Sequence, residues 1–156
     1  MQQARSAIPK VVGILMIVFA SLGLLHSLIS MFQAQLVSET FHSHEMEGFV
    51  HVALIFGLLD VGIGFLHLAA GLRALGYKES APRLTMLYGV LKIVTTVGLL
   101  VVTYAFMRRA LDGAGSEESA IIGFGFVLVG LFYMAWPIVA MALMSRPSAK
   151  AACVNL

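Results

Sequence analysis

The chain has 156 residues, 60% of them hydrophobic and 12% charged, with a formal net charge of +2 and a mean hydropathy of +0.94. A soluble domain is close to half apolar and about one quarter charged, so this composition excludes a water-soluble globular protein and places the chain in a bilayer. A single cysteine, Cys153, excludes an internal disulfide and Cys-rich metal chemistry, and no basic nucleic-acid surface is present.

The first apolar run, 11–32, carries no formal charge and follows Arg5 and Lys10. It exceeds the roughly 7–15 residues of a signal-peptide core and lacks a small-x-small cleavage pattern, so it reads as a retained helix. Gly13, Met16, Ala20, Gly23, Ser27 and Ser30 recur along it at three- and four-residue steps. Such a seam of small residues lets backbones approach closely in lipid, where the hydrophobic effect cannot drive association.

The segment that follows, Phe41-His42-Ser43-His44-Glu45-Met46-Glu47-Gly48-Phe49-Val50-His51, is rich in histidine. A helix capped by Ser43 would put His44, Glu47 and His51 on one face, near His26 at the outer part of the first helix. Imidazole and carboxylate together suit Zn, Cu, Fe or Ni. His26, His44, Glu47 and His51 are therefore the candidate metal or haem ligands, with His26 and His51 as the pair expected at matching depth for a haem. The simpler reading is a solvated helix start whose glutamates serve the helix dipole.

The second run, 49–72, contains Asp60, and the third, 84–107, contains Lys92. A charge at the centre of a transmembrane helix costs roughly 2.5–3.5 kcal/mol on insertion scales, so each must be paired, hydrated or functional. On the second helix, Gly57, Asp60, Gly64, His67 and Gly71 share one face. Asp60 lies 13 residues from Arg73, and Lys92 lies 9 residues from Arg83. At about 1.5 Å per residue the two differ in depth by roughly 6 Å, within reach of a lysine side chain. Asp60, His67 and Lys92, with Thr95 or Thr96 beside them, are expected to form a buried polar network. Three roles are open: a structural ion pair that fixes helix register, a proton or ion relay, or a Lys92 that reaches the membrane surface and leaves Asp60 protonated or hydrated.

Pro82 near the start of the third helix is tolerated, since first-turn amides have no intrahelical partner. The fourth run, 120–145, is uncharged; Pro137 inside it deprives the Tyr133 carbonyl of its donor, and Trp136 is deep enough to pack rather than anchor. Beyond it, Cys153-Val154-Asn155-Leu156 only outlines a prenylation box, with Asn155 a poor aliphatic position.

Each run exceeds the roughly 20 residues that cross a bilayer, and short connections favour antiparallel neighbours. The expected fold is all-α: one domain over 1–156, an antiparallel bundle of four transmembrane helices. A faint repeat relates Gly13–Val18 to Gly89–Val94 and Gly57–Gly62 to Gly125–Gly130, suggesting a tandem duplication of a helical hairpin. Arg5, Lys10, Arg73, Lys78, Arg83, Arg146 and Lys150 fall on one side and Arg108 and Arg109 on the other, which puts both termini in the cytoplasm.

The run Ala69-Ala70-Gly71-Leu72-Arg73-Ala74-Leu75-Gly76 before Ala81-Pro82-Arg83-Leu84, with Gly13-Ile14-Leu15 through Gly23-Leu24-Leu25, resembles small bacterial four-helix membrane proteins without an assigned activity. The likeness implies the fold and a bacterial inner membrane, and no chemistry. No Gly-rich phosphate loop, nucleophile elbow or Ser/His/Asp set is present, so the expectation is a non-catalytic membrane protein, a subunit of a larger complex or a homo-oligomer. Metal or haem binding is the alternative, and a small proton-coupled transporter or channel acting through Asp60 is the second.

Overall fold

A computed structural model describes residues 6–40, 44–110 and 116–154, without the side chains of 34, 37–40, 44–47, 49, 106–110, 116–123 and 126. Its elements are five helices: α1 Ile8–Thr40, α2 His44–Leu75, α3 Ala81–Ala110, α4 Ser116–Ser145 and α5 Pro147–Val154. The described residues contain no strand. A helix is the form that satisfies every backbone donor and acceptor within its own segment, which hydrocarbon requires.

Four stretches are long and apolar enough to cross a membrane: Ile8–Gln33, Val50–Leu75, Ala81–Ala105 and Val127–Ser145. Large apolar side chains stand exposed on all four, among them Leu22, Phe65, Val101 and Phe132. Such a surface fits lipid and not water. Pro9, Pro82 and Pro147 occupy the first turns of α1, α3 and α5, where a missing amide costs little. Pro137 is buried inside α4.

Close approach sets the register of α1 on α2. A Cβ on Gly13 would lie 2.6 Å from the Leu75 amide nitrogen and 2.8 Å from the Gly71 carbonyl oxygen. No side chain fits there, so the two backbones touch. Farther along the same pair, Gly64 meets Leu24 and Gly57 meets Met31. Phe56 of α2 packs on Gly98 of α3, and between α3 and α4 Gly89 meets Met141 and Gly130 meets Leu100. Gly23, by contrast, is exposed and has nothing within 4 Å of a built Cβ, so within this chain the α1 seam makes no contact there.

The pairs α1–α2, α2–α3 and α3–α4 pack extensively, whereas α1 and α4 meet sparsely. The buried core gathers near α5, around Val12, Met16, Ala74, Tyr88, Met144 and Cys153. There α5 touches both α1 and α4, burying Ala149, Ala152 and Cys153. This short helix was not foreseen, because eight residues with one lysine give no membrane-length run.

The α2–α3 turn is tightly built. Lys78 N donates to Arg73 O at 2.9 Å and Tyr77 N to Ala74 O at 3.0 Å, closing α2 in a Schellman-type cap. Tyr77 carries the left-handed φ of 53° that this cap demands and that glycine usually supplies.

Candidate functional site

The seam that packs α2 also places its polar groups. Asp60 and His67 lie on the Gly57–Gly64–Gly71 face, and Tyr88 and Lys92, four residues apart on α3, face them. Lys92 Nζ donates to Asp60 Oδ1 at 2.6 Å, with 19% of the Lys92 and 34% of the Asp60 side chain exposed. The ammonium also stands 5.9 Å from the centroid of the Tyr133 ring on α4, at the edge of cation–π range. Lys92 thus bridges three helices.

His67 is buried and stacked on Tyr88, with centroids 3.8 Å apart and planes 14° apart. Trp136 Nε1 of α4 donates to His67 Nε2 at 3.3 Å. An indole N–H can only donate, so Nε2 accepts, which fixes a neutral imidazole with its hydrogen on Nδ1. The Trp136 ring packs in turn against Phe19 of α1, with centroids 5.0 Å apart. His67 therefore adjoins the Asp60–Lys92 pair while its hydrogen bond runs to α4.

Two cavities meet at the ion pair. One, of about 520 Å³, reaches toward His67 and Trp136. The other, of about 300 Å³, reaches toward Thr95, Thr96 and Thr103. His26, Ser27, Asp60, Lys92 and Tyr133 border both. The walls are chiefly apolar with a few convergent polar groups, the usual character of a small-molecule site. The hydroxyl of Thr95 bonds its own helix, to Leu91 O at 2.9 Å.

The histidines are dispersed. The contacts Gly13–Gly71, Leu24–Gly64 and Met31–Gly57 set His26 level with about residue 62 of α2. His51 lies about 11 residues farther along, or roughly 16 Å at 1.5 Å per residue. The structure does not bring His26 and His51 to matching depth; it brings His26 to the cavity that His67 and Asp60 line. The side chains of His44 and Glu47, and Ser43 itself, lie outside the described residues. Among the described residues no group of three His, Cys, Asp or Glu stands close enough to hold a metal ion.

Trp136, Tyr88 and Tyr133 are site residues that the sequence reading did not assign. The four-residue step from Tyr88 to Lys92 was the available signal, since it matches the α2 stripe opposite. No protein-family model, curated protein or solved structure matches this chain.

Proposed function

We propose that this chain is a non-catalytic integral membrane protein, an antiparallel four-helix bundle that serves as a subunit of a larger membrane complex or as a homo-oligomer. The observation that carries this reading is the 2.6 Å contact between Lys92 and Asp60. Each charge has its counter-ion, so the pair serves to fix the register of α2 on α3. The antiparallel arrangement is supported by contacts whose numbers run in opposite directions: Asp60–Lys92 and His67–Tyr88 for α2–α3, and Gly89–Met141 and Leu100–Gly130 for α3–α4. Duplication of a hairpin is supported at Gly13 and Gly89, which both pack a neighbour, and not at Gly57 and Gly125, of which Gly57 alone does.

The subunit role draws on open space at Gly62 and Gly125, where a Cβ would meet nothing within 4 Å. A neighbouring helix can come close at such positions. The excess of Lys and Arg at the end bearing the α2–α3 turn supports cytoplasmic termini, and the bacterial inner membrane rests on the resemblance of the sequence alone. The test is mass measurement of the full chain, extracted gently and cross-linked in its own membrane. Multimers or a reproducible companion are expected; a lone monomer would overturn the subunit role.

The second reading, a proton-coupled transporter or channel, is favoured by the two cavities meeting at Asp60 and Lys92. In proteoliposomes, Asp60→Asn would then abolish pH-driven flux. Flux equal to that of the parent chain rejects it.

A further inference from the structure

The Schellman-type cap of α2 and the start of α3 hold three cations around one depression. Arg73 lies in the last turn of α2, Lys78 in the connection and Arg83 in the first turn of α3. With Glu79 and Ser80 they line a pocket of about 410 Å³. Among the described residues, no ion pair or side-chain hydrogen bond satisfies any of the three cations, and Glu79, although beside them, pairs with none.

Two features make this cluster unfavourable as it stands. Arg83 sits where the dipole of α3 is positive, and the first turn of α3 contains no acidic residue to offset it. The Ser80 hydroxyl at the same helix start is buried and lacks a hydrogen-bond partner, an arrangement that ordinarily costs stability. An anion in the pocket would relieve the mutual repulsion of the cations and meet the helix start. The backbone bonds Lys78 N–Arg73 O and Ala81 N–Lys78 O, both 2.9 Å, hold the turn in place beforehand, so little ordering is needed on binding.

We infer that this pocket binds a phosphate group, that of an anionic phospholipid headgroup. The chemistry is that of guanidinium forks meeting phosphate oxygens, with Lys78 as a point charge. The source follows from position: the turn directly follows Leu75, where the span Val50–Leu75 ends, and directly precedes Ala81, where the next begins. The pocket therefore lies at the bilayer surface, where headgroups are.

The test uses the full chain in detergent and native mass spectrometry, with phosphatidylglycerol, phosphatidylcholine or inorganic phosphate as the probe. Phosphatidylglycerol is expected to be retained over phosphatidylcholine, and Arg83→Gln to weaken that retention about tenfold, the loss of one charge-assisted contact. Glu79→Gln, which removes the one carboxylate at the pocket, is expected to strengthen it. Lys10→Gln with Lys150→Gln removes two cations elsewhere and should leave the preference intact. Saturable binding of inorganic phosphate that Arg83→Gln abolishes would support the same phosphate site with a soluble source. Equal retention of both lipids with no phosphate binding would overturn the site. So would an equal loss in the Lys10/Lys150 variant, which would mark general surface charge as the cause.

Discussion

Lys92 Nζ and Asp60 Oδ1 stand 2.6 Å apart at the boundary of two cavities, where the pair joins α2 to α3 inside the span region. Removing one partner leaves an uncompensated charge, whereas removing both leaves none. Asp60→Leu or Lys92→Met alone is expected to lower stability by about 2 kcal/mol, and the double change to restore most of it. Unfolding of all four proteins in mixed micelles measures this. A double variant as weak as the sum of the singles would show that the two charges do not act as a pair.

Gly13 and Gly23 lie on the same helix with opposite surroundings. A Cβ at Gly13 would press on the backbone of Leu75 and Gly71, which cannot rotate away, while Gly23 faces open space. Gly13→Ala should cost about 1–3 kcal/mol, as overpacking does. Gly23→Ala should be neutral or slightly stabilising, because alanine is the better helix former. Thermal denaturation of the two variants separates them, and equal effects would contradict the register of α1 on α2.

The four spans were legible because hydrocarbon demands long apolar runs, and the meeting of Asp60 with Lys92 because depth follows from residue counting. What spacing did not reveal was which seam residues touch. Gly23 falls on the three- and four-residue stripe of α1, yet it lies where α1 turns toward the cavity rather than toward α2. The partner of His67 was hidden for a related reason. Trp136 comes from α4, and periodicity within one helix carries no information on which rotation of a distant helix faces it. The α5 clasp was missed because its burial comes from tertiary contact and not from its own hydropathy.

Trp136 is the sole tryptophan of the chain, and its indole donates to His67. His67→Phe keeps a ring against Tyr88 but removes the acceptor, leaving a polar N–H unpaired at a cost of about 1–3 kcal/mol. Trp136→Phe in the same background removes that orphan and should recover part of the loss. Tryptophan emission of the His67→Phe protein should move to shorter wavelength. Unchanged emission and unchanged stability would show that the bond contributes nothing.

Tyr77 holds a left-handed conformation that β-branched residues resist. Tyr77→Gly and Tyr77→Val both delete the phenol, so their difference isolates the backbone. The glycine variant is expected to be more stable than the valine variant by about 1–2 kcal/mol. Comparison of their melting temperatures checks this, and a valine variant of equal stability would argue against the Schellman-type cap.

The clasp formed by α5 bears on how the molecule is assembled. Contacts of α1 with α2, α2 with α3 and α3 with α4 join helices adjacent in the chain, so each can form as soon as the later member is inserted. Docking of α5 on α1 is different in kind, because it joins the two extremes of the described chain. The Gly13 end of α1 must therefore wait, partly uncovered, until α4 and α5 arrive. Cys153 is buried on α5, so the rate at which its thiol loses access to reagents would report when that last helix docks.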